Sequence, residues 1–373
     1  MTTVDPIVLD MGRKFGQERL APGAAAREKA GRIEPEIIAE LGELGILGAT
    51  TPAEWDGSEL DAVTYAALVE EVAAGDGSVS TLVSVHNSPT CEVLNQFGTP
   101  AQKDRWLRPL ATGQHVGSFG LTEPQAGSDA SALRTRAVRK GDRWIINGAK
   151  QFISNGALPG SIVLFAVTDP DAGKRGISCF VAAKDTPGYQ VIRVEEKLGQ
   201  KASDTCALAF EDMELPADQL VGAEGQGYRI ALSTLESGRI GIAAQSVGMA
   251  RAALEFAITY ARDRRAFGKP IIEHQAVGFR LVEAKTRLEA ARQLTRHAAT
   301  LKAEGKPALE AAAMAKLFAS EAAEAICTAA IQTLGGYGFL ADYPVERIYR
   351  DVRVCQIYEG TSDVQKIILQ RML

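Results

Sequence analysis

No GxGxxG loop opening a βαβ unit occurs in this chain of 373 residues, nor a GxxxxGK loop followed by Ser or Thr, nor a GxSxG elbow. Their absence argues against the usual dinucleotide fold, a P-loop enzyme and an α/β-hydrolase. Cysteine is sparse and scattered: Cys91, Cys179, Cys206, Cys327 and Cys355 show no CxxC spacing, the four histidines form no metal-ligand pattern, and no metal is expected. That usage fits a reducing compartment. The start, Met-Thr-Thr-Val-Asp-Pro, lacks both a basic n-region with an apolar core and an Arg-rich amphipathic presequence, and no uninterrupted apolar stretch approaches a membrane span. The expectation is a soluble protein of the bacterial cytoplasm, or of the mitochondrial matrix if a presequence has been removed. An excess of basic residues is missing as well. A formal charge of −5 with mixed signs argues against nucleic-acid binding.

What is there is length and changing pattern. The chain exceeds a usual single core and should divide into two or three domains. Up to about residue 115 apolar residues recur at helical spacing, as in Ile37, Ile38, Leu41, Leu44 and in Tyr65, Leu68, Val72. From 116 to 222 the pattern becomes short apolar, largely β-branched runs beginning at Arg143, Ser161, Gly176 and Cys206, with Asn147-Gly148 reading as a type I′ hairpin turn. A Gly-rich joint, Gly222 to Gly227, leads into Ala-rich helices over 223–373, where Val277, Leu281, Ala284, Leu288 and Ala291 alternate steps of four and three. The expected class is α+β: an N-terminal helical domain over 1–115, a small β barrel or sandwich over 116–222, and a C-terminal four-helix bundle.

One stretch carries chemistry on its face. In Ile357-Tyr358-Glu359-Gly360-Thr361-Ser362-Asp363 a carboxylate lies between an aromatic ring and a glycine-hydroxyl turn. Apolar neighbours destabilise the charged form, raise the proton affinity and suit Glu359 to take a proton from carbon. Gly360, Thr361 and Ser362 add donors for a nearby cofactor or substrate oxygen. The same Gly-Thr-Ser before Asp363 to Leu369 also reads as an ordinary helix N-cap.

Five further segments occur in fixed order: Phe119-Gly-Leu-Thr-Glu-Pro-Gln-Ala-Gly-Ser-Asp129, Asn147 to Asn155, Leu235 to Ile242, Asp263 to Gly268 with Glu273-His-Gln275, and Gln332 to Gly338. Together with the Glu359 run they make the chain resemble the acyl-CoA dehydrogenases from about residue 84 to the C-terminus. The resemblance implies FAD. It sets Phe119, Leu121, Thr122, Gly127 and Ser128 along the flavin, with Ser128 where FAD meets substrate, although Gln125 replaces a frequent glycine. It sets Phe152, Ile153 and Ser154 against the reactive N5 edge, where many relatives carry Trp and Thr; read without the family, Phe152 fills the β-domain core. Arg264, Ala266, Phe267, His274 and Gln275 match a contact made to FAD across a subunit boundary, Gln332, Gly335 and Gly336 serve the same FAD, and Thr361 and Asp363 adjoin it. Read alone, Gly335 to Gly338 is a helix C-cap.

For the substrate, the resemblance assigns Ser128, Glu236, Arg239, Tyr358 and Gly360 to the acyl-CoA, whereas spacing alone makes Glu236 and Arg239 a surface ion pair at i and i+3. Some relatives carry their base at position 238. Here that residue is Gly238, so the base is Glu359, which takes the α-proton while the β-hydrogen passes as hydride to flavin N5 and the enolate oxygen is held by the Glu359 N–H and a ribityl hydroxyl. Gln245 and Cys355 match residues that close the acyl pocket in short-chain members, so butyryl-like or small branched groups are expected; the plain reading of both is packing between helices. The implied product is a trans-2-enoyl-CoA, the implied partners an electron-transfer flavoprotein and a homo-oligomer, a tetramer by resemblance. An oxygen-using oxidase, a monooxygenase of the same fold and a non-catalytic helical binding protein stay open as alternatives.

Overall fold

The computed structural model of the protein describes residues 3–373. Helices come first: α1 (Pro6–Lys14), α2 (Ala24–Ala30), α3 (Pro35–Glu43), α4 (Ala62–Gly75), α5 (Gly77–Val85), α6 (Glu92–Phe97), α7 (Pro100–Gln102) and α8 (Arg108–Ala111). Their starts follow the capping chemistry of the sequence. Asp61 and Asp76 accept hydrogen bonds from the first free N–H groups of α4 and α5, and Thr99 with Gln102 makes a reciprocal capping box at α7.

The strands are β1 (Val116–Gly120), β2 (Arg136–Lys140), β3 (Arg143–Ser154), β4 (Gly160–Val167), β5 (Ile177–Ala183), β6 (Tyr189–Val194), β7 (Thr205–Pro216) and β8 (Leu220–Val221). They form one sheet in the order β6-β7-β3-β2-β4-β5-β8, with β1 parallel to β4. The unbroken apolar runs of β4 and β5 follow from burial on both faces. Ile162, Leu164, Phe180 and Ala182 enter one core with Trp144 and Phe210, while Val163, Phe165, Cys179 and Val181 enter another with Leu94, Trp106 and Leu121. The alternation along each strand is the period-2 rule acting on both sides.

The hairpin expected at Asn147-Gly148 is not there. The turn between β2 and β3 falls at Gly141-Asp142, with Gly141 at φ +62°, and Asn147 pairs with Arg136 inside the strand. The pairing of β3 with β7 shifts register between Ile146 and Gly148, so the Asn-Gly step makes a bulge. The Asn147 side chain donates to Asp212 Oδ1 at 3.0 Å and accepts from the Asp212 N–H.

The C-terminal third is α9 (Gly227–Asp263), the short pair β9 (Arg265–Ala266) and β10 (Lys269–Pro270), α10 (Gln275–Ala303), α11 (Leu309–Leu334), α12 (Pro344–Val352) and α13 (Ser362–Gln370). Small residues let α9 sit deep in the core against α4: a Cβ at Gly248 would lie 2.2 Å from the Glu70 carbonyl oxygen. Charge then fastens the crossing. Arg251 meets Glu70 at 3.1 Å and Glu71 at 2.6 Å, and Arg292 of α10 reaches Glu70 at 2.8 Å. No described helix is long and apolar enough to cross a membrane.

Candidate active site

Glu359 stands on a backbone that an L-residue seldom adopts. Its φ is +55° and that of Gly360 is +90°. Such conformations persist when their surroundings fix them. Here the Gly360 carbonyl accepts from Lys316 Nζ at 2.7 Å and from Gln365 Nε2 at 2.9 Å, and Thr361 caps α13 by accepting from the Val364 N–H at 3.2 Å. The cap reading of Gly-Thr-Ser therefore holds, and it aims the residue before it.

The carboxylate points at α9. A Cβ built on Gly238 would lie 2.7 Å from Glu359 Oε2, so the glycine leaves the space that the carboxylate fills. Glu359 as a whole is half-buried, but Oε2 is shielded from solvent and has no hydrogen-bond partner. Burial pushes its pKa up to about 7, Arg239 and Lys316 pull it back, and Glu92 adds to the rise. A shielded carboxylate with a free oxygen and a pKa near neutrality is suited to receive a proton.

Arg239 is buried, and its Nε and Nη1 have no partner among the described residues. The pair expected between Glu236 and Arg239 is not formed: Glu236 faces Lys302 of α10 at 3.9 Å, and Arg239 turns inward toward Glu359. Burial lowers the Arg239 pKa against the pull of Glu359 and Glu236. Lys316 is fully buried, and burial brings it down to about 8. Nothing in the sequence pattern marked Lys316. It sits in the Ala-rich run of α11 and meets the base loop only through the fold.

The two segments of the middle region expected to hold a flavin lie side by side. Buried Lys150 of β3 joins Glu123 at 2.7 Å and the Leu121 carbonyl at 3.1 Å, and the Gln151 N–H donates to the Thr122 carbonyl at 2.9 Å. Burial alone would raise the Glu123 pKa; Lys150 and the N–H donors outweigh it and hold it at about 2. A second register shift in β3, between Lys150 and Ile153, throws the next side chain outward. Phe152, at φ +60°, is 63% exposed, which removes the reading that it fills the β core. Ile153 and Leu121 do enter the cores, so only their backbones face this side. Thr122 and Ser154 are half-buried, and Gly127 and Ser128 are exposed. Phe119 packs edge-on against Phe165 at 5.0 Å. An open aromatic face, hydroxyls and a glycine with free space around it fit a planar, hydrogen-bonding ring system such as the isoalloxazine of FAD.

The second group gathers at the far end of α9. The guanidinium of Arg264 lies 5.6 Å over the Tyr337 ring, His274 Nε2 is 3.1 Å from the Ala266 carbonyl, and Phe267, almost wholly exposed, meets the His274 ring at 5.9 Å. Gly335 ends α11 at φ +61°, as its C-cap reading required, with Gln332 and Gly336 exposed beside it, and Gln275 is exposed at the head of α10. Cations and rings open to solvent suit a phosphate and an adenine. Among the described residues no hydrogen bond, ion pair or ring contact links this group to Thr122 or Phe152. Asp363 is exposed at the head of α13, 3.9 Å from Lys366.

Beyond Glu359 lie Tyr358, Gln245 and Cys355. Gln245 and Cys355 are fully buried; the Tyr358 hydroxyl donates to Gln245 Oε1 and is 3.5 Å from Cys355 Sγ. Gln245 Nε2 donates to Ser80 Oγ at 2.7 Å, Thr81 Oγ1 at 2.6 Å and the Gly77 carbonyl at 3.2 Å. These are more than packing contacts, and the partners on α5 come from a stretch that drew no notice as sequence.

Comparison with known proteins covers the whole of this architecture. The family model "Acyl-CoA dehydrogenase, N-terminal domain" matches residues 6–114, the middle domain matches 118–213 and the C-terminal domain 225–373. A mitochondrial short-chain specific acyl-CoA dehydrogenase of Bos taurus is 44% identical over 357 residues, 96% of this chain and 87% of that protein. A butyryl-CoA dehydrogenase from Megasphaera elsdenii has 41% identity and a TM-score of 0.97, covering 100% of this chain and 99% of that one. A chain solved in work on the electron transferring flavoprotein of Acidaminococcus fermentans has 45% identity and a TM-score of 0.98, covering 100% and 98%.

Proposed function

The chain belongs to the acyl-CoA dehydrogenase family, and we propose that Glu359 is its base and a short acyl-CoA its substrate. It is a flavin-dependent oxidoreductase that introduces a double bond next to a thioester. The observation that carries the residue assignment is the shielded Glu359 carboxylate lying in the space left by Gly238, with one oxygen unpartnered and a pKa near 7.

Each part of the chain has a task in this reading. Glu359 takes the α-proton as the Cα–H bond breaks, and its backbone N–H, turned by the positive φ, holds the thioester oxygen as negative charge grows there. Arg239, buried with free donors, and Lys316 steady that charge and offset part of the burial penalty on the carboxylate, which holds its pKa near 7 rather than higher. Thr122, Ser128, Phe152 and Ser154 bind and orient FAD, with Arg264, Phe267, His274 and Gln332 serving the FAD of a second copy. FAD supplies the two-electron acceptor for the hydrogen that leaves the β-carbon as the double bond forms. Glu236 and Arg239 border the CoA portion, and Gln245, Cys355 and Tyr358 close the acyl end.

The substrate class is butyryl-like, supported by the buried Gln245 and Cys355 and by relatives named short-chain specific or butyryl-CoA dehydrogenases. An electron-transfer flavoprotein is the acceptor, a reading supported by the neighbour solved in work on such a protein. The active form is a homotetramer, and a cytoplasmic location goes with it. The test is Glu359→Gln, which keeps FAD and acyl-CoA binding and loses turnover by ~10²–10⁴-fold. Anaerobic bleaching of flavin absorbance by butyryl-CoA reads the chemistry directly; bleaching by the variant at the wild-type rate removes Glu359 as the base.

A further inference from the structure

One face of α9 runs from the base to a cavity. Gly238 lies against Glu359, Gly241 and Ile242 follow one turn on, and Gln245 stands seven residues beyond Gly238 on the same face. Two turns are about 10 Å of helix. Past Gln245 the face continues through Met249, Ala252 and Phe256, which line a cavity of about 230 Å³ together with Gly77, Ile348 and Asp351. Gln245 therefore lies on this face between the base and the cavity, its Nε2 bonded to the carbonyl of Gly77 in the cavity wall.

Beside its bonds to Ser80, the Gly77 carbonyl and Tyr358, Gln245 is held there by a row of buried hydrogen bonds drawn from all three parts of the chain. Thr81 Oγ1, on α5, accepts from Gln245 Nε2 at 2.6 Å and donates to Gln200 Oε1. Gln200 arrives from the segment between β6 and β7 at φ +48°; its N–H donates to Asp351 Oδ1, and its Nε2 donates to the Asp351 carbonyl at 3.1 Å, at the end of α12. Each member is buried, and each donor in the row has an acceptor. A network satisfied at every position defines one side-chain arrangement.

We propose that Thr81 and Gln200 are positioning residues that set acyl-chain length by latching Gln245 across the mouth of this cavity. The inference rests on the reading above that the acyl group runs along α9 from Glu359. A longer chain gains by burying more methylene groups in the cavity, but only when Gln245 swings aside. Releasing the latch favours longer substrates without touching the base.

The experiment compares butyryl- and octanoyl-CoA in the FAD-loaded wild type, Thr81→Val, Gln200→Met and Thr81→Ser. Val keeps the shape of Thr and removes the hydroxyl; Met keeps the length of Gln and removes its amide. Losing one buried hydrogen bond should raise the octanoyl-to-butyryl ratio of kcat/KM by about five-fold in the first two variants. The change should appear in KM for octanoyl-CoA, with kcat for butyryl-CoA unchanged, and Thr81→Ser should restore the wild-type ratio. Calorimetric binding of the two thioesters reads the same preference without turnover, so a wild type that turns over neither substrate would fault the dehydrogenase reading and leave this one measurable. If Thr81→Val does not fold, Gln200→Met decides. Unchanged ratios in the folded variants, by kinetics and by binding, overturn the latch.

Discussion

Three residues from distant parts of the chain make one acid–base unit. Glu359 is raised to about 7 because burial disfavours its charge, with Arg239 and Lys316 opposing. A base must be unprotonated, so kcat/KM should climb as pH rises through 7 and level off above it. Lys316→Met removes a cation that favours the carboxylate, and the acid limb should move up by about one unit, while Lys316→Arg leaves it near the wild-type position. A limb that stays put in Lys316→Met would separate the lysine from the base. The same shift carries a stability consequence. A carboxyl with a raised folded pKa contributes stability below its unfolded value of 4.5 and loses it as pH rises through 7. Glu359→Gln should therefore be the more stable protein above pH 7, by on the order of 1 kcal/mol, in thermal unfolding of the FAD-bound forms. Gly238→Ala should cost activity by displacing the carboxylate, with little change in melting temperature.

Elements were legible from the sequence where periodicity and burial agree. Val277 to Ala291 on α10 and the apolar runs of β4 and β5 fall where their spacing put them. The Asn-Gly step was misread because tolerance of unusual φ serves a bulge as well as a turn. The turn that carries Glu359 was legible because its cap is local, Thr361 accepting from the Val364 N–H three residues on. Lys316, Thr81 and Gln200 were not, since they reach the site from separations of 44 residues for Lys316 and Gly360 and 119 for Thr81 and Gln200. The Lys150–Glu123 pair is another such contact, and it joins β3 to the turn that follows β1. Removing one partner strands the other charge in the interior. Lys150→Met should destabilise the protein by about 3–5 kcal/mol and loosen FAD, read by urea unfolding and flavin release. With Glu123 held at about 2, its contribution is present above pH 4.5 and is lost as pH falls toward 2. Acid titration of the variant should lack that loss.

At the scale of the molecule, the function proposed above has the groups around Phe152 and Arg264 meet on one FAD when two copies combine. Mixing Glu359→Gln chains with Arg264→Ala chains under conditions of subunit exchange should recover activity, because a hybrid holds one site with both parts intact. No recovery after demonstrated exchange would argue that each copy binds its FAD alone. The five thiols offer a different measurement. Cys91 lies at the end of the π-helical turn before α6, Cys179 and Cys206 lie in the sheet, Cys327 lies in α11 and Cys355 in the turn that follows α12; all are buried, with their pKa values pushed up by burial. None can react with an alkylating reagent until its surroundings open. The rate of each modification is thus a local clock of breathing, and mass mapping of which cysteine is labelled first would rank the three regions by the free energy of their partial unfolding, with substrate analogue expected to slow Cys355 most.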